Sequence, residues 1–397
     1  MRIGFDFCDL DPEYAGGVNS FAFGLLSGML ASRRPDDQIV LLTTARNDAF
    51  LRRAFADAGV AFLALERGTL GRRIDSILVL GSWLLGCFRL RYWYDRIVRA
   101  STMRRIDAAV DVLLAPLTTF SFYGMTVPAI LSIHDIQQEY HPEFFTWREK
   151  VSRWAPYRLS AWRAARVQAS STYIRDCLLQ KFPFMTPERI VCIPEGVDRG
   201  QFSPDAPMEK PPALASLCGD DFVFYPAQIW PHKNHRMLVE ALALLRDKIG
   251  REIPCVLSGK DYGHWPQVKA RIDMLGLKQV RYLGRVPFLQ LLWLYGHCRA
   301  VLALGLHESS SLPVREGAVF GKVLIATDIP PNREVQGPLN VQLVDGADPA
   351  GLAETLADLA SGKADMSTAG RENASLVRRF DWNAVAGEYY RVLQQLV

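Results

Sequence analysis

Short apolar runs rich in β-branched residues alternate with helical patterns along this chain. The pattern predicts strands at 2–7, 38–43, 61–65, 110–115, 129–134, 167–170 and 190–194, then at 222–226, 255–258, 280–283, 300–304, 323–326 and 341–344. Between them lie stretches with apolar residues at helical spacing. Such alternation builds parallel sheets from βαβ units, and ligands of such sheets sit beyond the carboxyl ends of the strands. The segment 201–219, rich in Pro, Ser and Ala, reads as a linker. The expected organisation is therefore two doubly wound, Rossmann-like α/β domains, 1–200 and 201–379. A final helix follows at 380–397, where Trp382, Val385, Ala386, Tyr389, Tyr390, Leu393 and Leu396 share one face.

Composition narrows this picture. A chain of 397 residues, 49% apolar, is long enough for two cores. Its seven cysteines are scattered without a CxxC pair, which predicts reduced, mostly buried thiols in a cytoplasmic protein and no disulfide or zinc framework. The start of the chain reads as a first strand and no signal peptide. The longest apolar run, 77–88, falls short of the roughly 20 residues a spanning helix needs, so a soluble or peripheral protein is expected.

The net charge of +4 is unevenly placed, because residues 67–105 hold nine arginines and two acids. Aromatics and leucines are interleaved with them. Two readings stand: a helix lying on an anionic membrane surface, or a solvated face over a core. No nucleic-acid motif accompanies the arginines, and none is expected to bind there.

The most informative stretch is His307 to Gly317. Glu308 and Glu316 stand eight residues apart, separated by a Ser-rich turn and Pro313, between an apolar strand and a helix start. The first amides of a helix lack intrahelical acceptors, so this turn is an anion cradle, and a carboxylate accepts two hydrogen bonds from a vicinal diol. An acid–base pair of a glycosidase is the competing reading. The cradle between the two glutamates disfavours it.

Further candidates follow other strands. Gly16-Gly17 precedes an apolar helix, where glycines let backbone approach a ligand, though such a pair is more often a plain turn. His134 closes the run 129–134 and reads either as a sugar-contacting or as a packed structural histidine. Lys233, in Trp230-Pro231-His232-Lys233-Asn234, opens a helix in position to meet a diphosphate. Asp9-Leu10-Asp11 has the form used by some metal-dependent transferases but lies in a loop after the first strand. It reads as solvated, and no metal is expected.

Taken in order, Gly16-Gly17, His134-Asp135, Ile193 to Asp198, Lys233-Asn234, Tyr282 to Val286, Glu308 to Glu316 and Phe380-Asp381-Trp382 resemble the retaining GT-B glycosyltransferases of the family 4 group. The Trp-Pro-His-Lys-Asn loop is similar to enzymes of bacterial surface-polysaccharide synthesis, often mannosyl- or rhamnosyltransferases. The resemblance implies two domains facing a cleft, with the last helix returning to the first domain. It implies a nucleotide-sugar co-substrate and no metal or other cofactor. Glu316 would hold ribose hydroxyls and Glu308 donor-sugar hydroxyls. The amides of Ser311 and Leu312, with Lys233 and the Gly16-Gly17 loop, would meet the diphosphate. His134 would contact the donor sugar, and Val286 the base through its backbone.

The expected activity is transfer of a hexose, mannose from GDP-mannose, to a polyprenyl-diphosphate-linked saccharide at the inner face of the cell membrane. A soluble enzyme using dTDP-rhamnose or a UDP-sugar, and a non-catalytic nucleotide-sugar-binding scaffold, are the alternatives. Three departures stand out. Gln228 occupies the region where many members place a phosphate-binding arginine. Ser309-Ser310-Ser311 replaces Gly-Phe-Gly, and Glu195 replaces the asparagine of Pro-Asn-Gly. The serine hydroxyls are expected to offset the lost charge in part.

Overall fold

The computed structural model describes residues 1–12, 17–66, 69–215, 221–250, 252–362 and 364–397. The chain forms two compact α/β units, one of Met1–Gly196 with Trp382–Val397 and one of Val197–Asp381. Strands appear at all thirteen positions where the pattern predicts them; three match at both ends, and no end of the others differs by more than two residues.

The first unit carries a seven-stranded parallel sheet. Its strands are β1 (Arg2–Asp6), β2 (Gln38–Thr43), β3 (Ala61–Ala64), β4 (Val112–Ala115), β5 (Ala129–Ile133), β6 (Arg166–Ala169) and β7 (Ile190–Cys192), in the order β3-β2-β1-β4-β5-β6-β7. The second unit carries β8 (Val223–Pro226), β9 (Cys255–Ser258), β10 (Val280–Tyr282), β11 (Ala300–Ala303), β12 (Val323–Thr327) and β13 (Val341–Val344), in the order β10-β9-β8-β11-β12-β13. Every strand pairing is parallel. Helices cover both faces of each sheet, which is why the central strands are apolar throughout and not alternating. In each unit the strand order reverses beside the first strand, the switch point that opens a crevice at the carboxyl edge.

The terminal helix Trp382–Leu393 belongs to the first unit and packs on the helix Gly17–Ala31. Gly24 and Gly28, one turn apart, form its seat. A Cβ on Gly24 would lie 2.1 Å from the Trp382 indole nitrogen, and one on Gly28 would lie 2.3 Å from the Trp382 carbonyl oxygen. Glycine costs up to about 1 kcal/mol inside a helix, and here close helix packing explains it. Ser132 and Tyr389 share a buried hydrogen bond of 3.0 Å, tying the helix to β5.

Candidate functional site

In the second unit, four loops converge at the carboxyl edge of the sheet. The first follows β8. Gln228 is half-buried there, its side-chain carbonyl accepting from the Trp230 indole N–H at 3.1 Å. A Cβ on Gly259, whose φ is 146°, would meet the Ala227 carbonyl at 2.3 Å, so only glycine lets the loop after β9 approach so closely. A 3₁₀ turn, Pro231–Lys233, then leads through Asn234 in the left-handed region (φ 56°) into the helix His235–Ile249. The Tyr225 hydroxyl donates to the Lys233 carbonyl at 2.5 Å, and the Leu306 amide donates to the His232 carbonyl at 2.8 Å. Those bonds fix Lys233 from both sides.

Lys233 Nζ donates to Glu308 Oε1 at 2.6 Å, and both side chains remain partly exposed. Gly305 makes room for this carboxylate, since its Cβ would fall 2.1 Å from Glu308 Oε1. Ser311 is left-handed (φ 46°) and starts the helix Leu312–Val319. That geometry leaves the Ser311 and Leu312 amides at a helix start, where the helical ladder supplies no acceptor. Glu316 lies in this helix and accepts from the Tyr295 hydroxyl. Burial pushes its carboxyl up to about 7, against the pull of the Tyr295 bond. Val286 is half-buried in the loop after β10.

In the first unit the corresponding edge carries His134 directly after β5. Its Nδ1 lies 3.1 Å from Glu195 Oε1, and its Nε2 lies 2.9 Å from the Pro116 carbonyl oxygen. Both partners are acceptors, so the doubly protonated ring satisfies both. Burial alone would lower the His134 pKa, but the Glu195 bond and charge outweigh it and hold it above the ordinary value. Phe21 packs edge-on against the ring. Gly17 is exposed and begins the helix Gly17–Ala31, whereas Gly16 lies outside the described residues.

Lys233, Glu308, Ser311, Leu312, Gln228, Val286 and Glu316 thus gather on the second unit, and His134 and Gly17 belong to the first. A family model described as glycosyl transferases group 1 matches residues 209–376, and one described as glycosyltransferase family 4 matches residues 16–201. The chain belongs to the family 4 glycosyltransferases.

This glycosyltransferase is 27% identical over 220 residues to O-antigen chain mannosyltransferase B of Escherichia coli. The match takes in 53% of the chain and 55% of that relative, so the chain spans about half the relative's length. Among solved structures it is similar to HepE of Anabaena in complex with UDP and glucose, at 17% identity and a TM-score of 0.70 over the whole of both chains. Sucrose-phosphate synthase of Thermosynechococcus elongatus is similar at 16% identity and a TM-score of 0.71, over 100% of this chain and 99% of that one. Likeness at such identities is likeness of the two-domain α/β fold.

Several residues to which the sequence alone assigns no role lie in or beside these sites. Glu195 figured only as a departure from a motif, yet it is the ion partner of His134. The signal was present: an acid replaces an asparagine just beyond β7, while a histidine directly follows the apolar strand β5. Arg315 is 2% exposed, donates to the Ser310 carbonyl and hydroxyl, and lies over the Phe380 ring at 4.7 Å. The Ser311 hydroxyl donates to Asn332, whose amide donates to the Thr327 carbonyl at 2.8 Å. The Ser311 hydroxyl proton is therefore engaged by Asn332, whereas the Ser310 hydroxyl accepts from Arg315 and keeps its own proton to donate. Arg315 puts a positive charge directly beneath the loop.

The expected solvated reading of Asp9-Leu10-Asp11 meets an ion pair, Asp11 with Arg46 at 2.5 Å. Among the described residues, no group of three or more His, Cys, Asp or Glu side chains is placed to hold a metal ion, and no helix is long and apolar enough to cross a membrane.

Proposed function

We propose that this glycosyltransferase moves a hexose, with retention and without a metal, from a nucleotide-diphosphate sugar to a lipid-linked saccharide of the cell surface. The observation that carries the reading is the Lys233–Glu308 pair beside the start of the helix Leu312–Val319. There a cation and helix-start amides suit a diphosphate, and a carboxylate suits sugar hydroxyls. In the reaction the acceptor hydroxyl attacks the anomeric carbon from the leaving-group face. The bond to the phosphate oxygen breaks, and that oxygen takes the acceptor's proton. Lys233 and the amides of Ser311 and Leu312 stabilise the charge building on the departing diphosphate. Glu308 and Glu316 orient the sugar and the ribose. The helix-start amides and Lys233 are the protein's means of handling that charge, so no metal is invoked.

Mannose, carried by GDP, is the proposed sugar, supported by the similarity to the O-antigen mannosyltransferase. UDP-glucose is the competing donor, favoured by similar structures solved with UDP and UDP-glucose. The working site is the cytoplasmic face of the cell membrane, where such a donor is available.

A panel of nucleotide sugars in thermal-shift measurements tests the reading, using the wild type and Glu316→Ala. A donor present at about 100 times its Kd stabilises by roughly 2.7 kcal/mol, readily seen as a rise in Tm. A rise with GDP-mannose that Glu316→Ala abolishes supports the proposal. A rise with UDP-glucose alone replaces the donor, and no rise with any donor removes the nucleotide-sugar reading.

A further inference from the structure

We infer that the helices Thr69–Leu84 and Leu90–Ile97 form a surface that docks on an anionic lipid bilayer. The inference rests on the proposed lipid-linked acceptor for its biological sense. Its physical basis is a helical hairpin that buries an ion-pair network between its helices and exposes a row of large apolar side chains.

The two helices pack against each other. Their facing sides carry Asp75, Arg91 and Asp95, all buried. Arg91 pairs with Asp75 at 3.1 Å, and Arg99 joins Asp75 and Asp95 at 2.9 Å each. A soluble helical hairpin normally does the reverse, burying its apolar stripe and exposing its charges. Here Ile77, Leu80 and Leu84 share one outward face of the first helix, at spacings of three and four. Trp93 and Ile97 do the same on the second. Leu85, in the connecting turn, and Ile97 are each 72% exposed. Half of the large exposed apolar side chains among the described residues fall between 77 and 98. A concentration of this kind marks an interaction surface, whereas single exposed leucines do not.

Charge decides which partner fits. Arg72, Arg73, Arg89 and Arg96, on the two helices or in the turn between them, are exposed, and the only acids between 69 and 98 are the two buried aspartates. The outward face is therefore apolar and cationic, with no exposed acid among the residues of the two helices and their turn. This matches the headgroup and upper acyl region of an anionic leaflet, where tryptophan also favours the interface. A second copy of the same surface would bring four more arginines against these four, so charge opposes self-pairing.

The hairpin is also tied to the site edge of its sheet. Asp95 accepts from the Tyr123 amide at 2.9 Å, and Arg91 donates to the Ser121 carbonyl at 2.8 Å. The same loop begins at Pro116, whose carbonyl is a partner of His134, and the Ser121 amide donates to Asp6 at the end of β1. A bilayer-docked hairpin would thus hold the carboxyl edge of the first sheet close to the membrane, where a lipid-linked acceptor presents its saccharide.

Flotation with vesicles tests the inference, without donor or acceptor, so that its failure is distinct from failure of the transferase reading. The wild type is expected to float with vesicles of phosphatidylcholine containing about 30% phosphatidylglycerol at low salt. Binding should weaken on pure phosphatidylcholine, and in about 0.5 M salt, where screening shortens to a few ångströms. Leu84→Ser/Leu85→Ser changes only exposed positions and should bind roughly tenfold or more weakly. Arg72→Ala/Arg73→Ala should lose affinity for the anionic vesicles while keeping what remains on neutral ones. The same variants should keep the wild-type Tm. Failure of the wild type to float at low salt overturns the inference, as does equal flotation of the leucine variant. A dimer that the leucine variant dissolves, with no flotation, would assign the surface to a second copy and overturn it too.

Discussion

At the carboxyl edge of the first sheet, the His134 and Glu195 side chains are 9% and 5% exposed; at that of the second, Lys233 and Glu308 are 21% and 14% exposed. Both pairs join a cation to a carboxylate at the same level of a parallel sheet. The first is closed: each ring nitrogen of His134 has an acceptor inside the protein, and Phe21 covers the ring. The second is open, and Lys233 has one carboxylate partner at the rim of a helix-start cradle. Similar topology thus holds one pair with every partner inside the protein and leaves the other at an exposed rim, where the proposed function has it exchange its partner for a ligand. A buried ion pair held on all sides is costly to break, and one that reaches solvent is less costly to rearrange.

Replacing Lys233 should separate the two pairs most sharply. Under the proposed reading Lys233→Ala lowers kcat by about 10²- to 10³-fold, the usual size of one charge-stabilising group. Lys233→Arg should restore part of the loss. Turnover with saturating donor is the readout, and a normal rate in Lys233→Ala would remove the assignment.

Gly305→Ala comes next. Its added Cβ would meet the Glu308 carboxylate at 2.1 Å, so that group has to move while Lys233 stays in place. We expect about a tenfold fall in kcat/KM with little change in Tm. The double variant Gly305→Ala/Lys233→Ala should be hardly worse than Lys233→Ala, because groups acting as one unit are not additive. Additive losses would mean that the two residues work separately.

The strands and the glutamate-bounded turn were legible in the sequence because hydrophobic period and helix-start chemistry are local. What stayed hidden depends on long-range approach. The Gly24 and Gly28 seat for Trp382 joins residues more than 350 positions apart, and no local pattern distinguishes it from a weak helix. The arginines of 67–105 read as a uniform basic tract, yet Arg91 and Arg99 are interior counter-ions to Asp75 and Asp95. Only the fold separates these from the exposed arginines beside them. Ser310 and Ser311 were read by residue type, which does not reveal that Arg315 and Asn332 already engage their hydroxyls.

Glu316 gives a subtler comparison, since burial raises it to about 7 from an ordinary 4.5. Its folded pKa is raised, so its contribution to stability is full below the unfolded value and is lost as pH rises through about 7. Without ligand, Glu316→Gln should flatten that fall. Binding ribose hydroxyls as a carboxylate requires the ionised form, so donor affinity should move the opposite way and improve by up to about tenfold between pH 6 and 8. Glu316→Gln should weaken donor binding at pH 8 and hardly at pH 6. Calorimetric titration at both values checks this, and a donor affinity independent of pH in the wild type would detach Glu316 from the diol.

The closed pair yields the smallest effect on turnover and a distinctive effect on stability. Glu195 holds the His134 pKa up against burial, so the pair's contribution is full below about 6.5 and declines as pH rises through the folded value. In Glu195→Gln the carboxylate is gone and burial then favours the neutral ring. One of its two hydrogen bonds keeps an acceptor, and no charge remains to be compensated. Urea unfolding should show a loss of about 2–4 kcal/mol near pH 6 that shrinks toward pH 9, and saturating-donor turnover should change less than in any variant above. Parallel stability curves for wild type and variant would mean that His134 is neutral in the folded protein. Its Nδ1 or Nε2 would then lack a proton to donate, and the brace would be a single hydrogen bond. A His134 so weakly held would be free to turn toward a sugar, which is the role the family resemblance implied for it. The stability curve therefore decides between brace and sugar contact before any substrate is added.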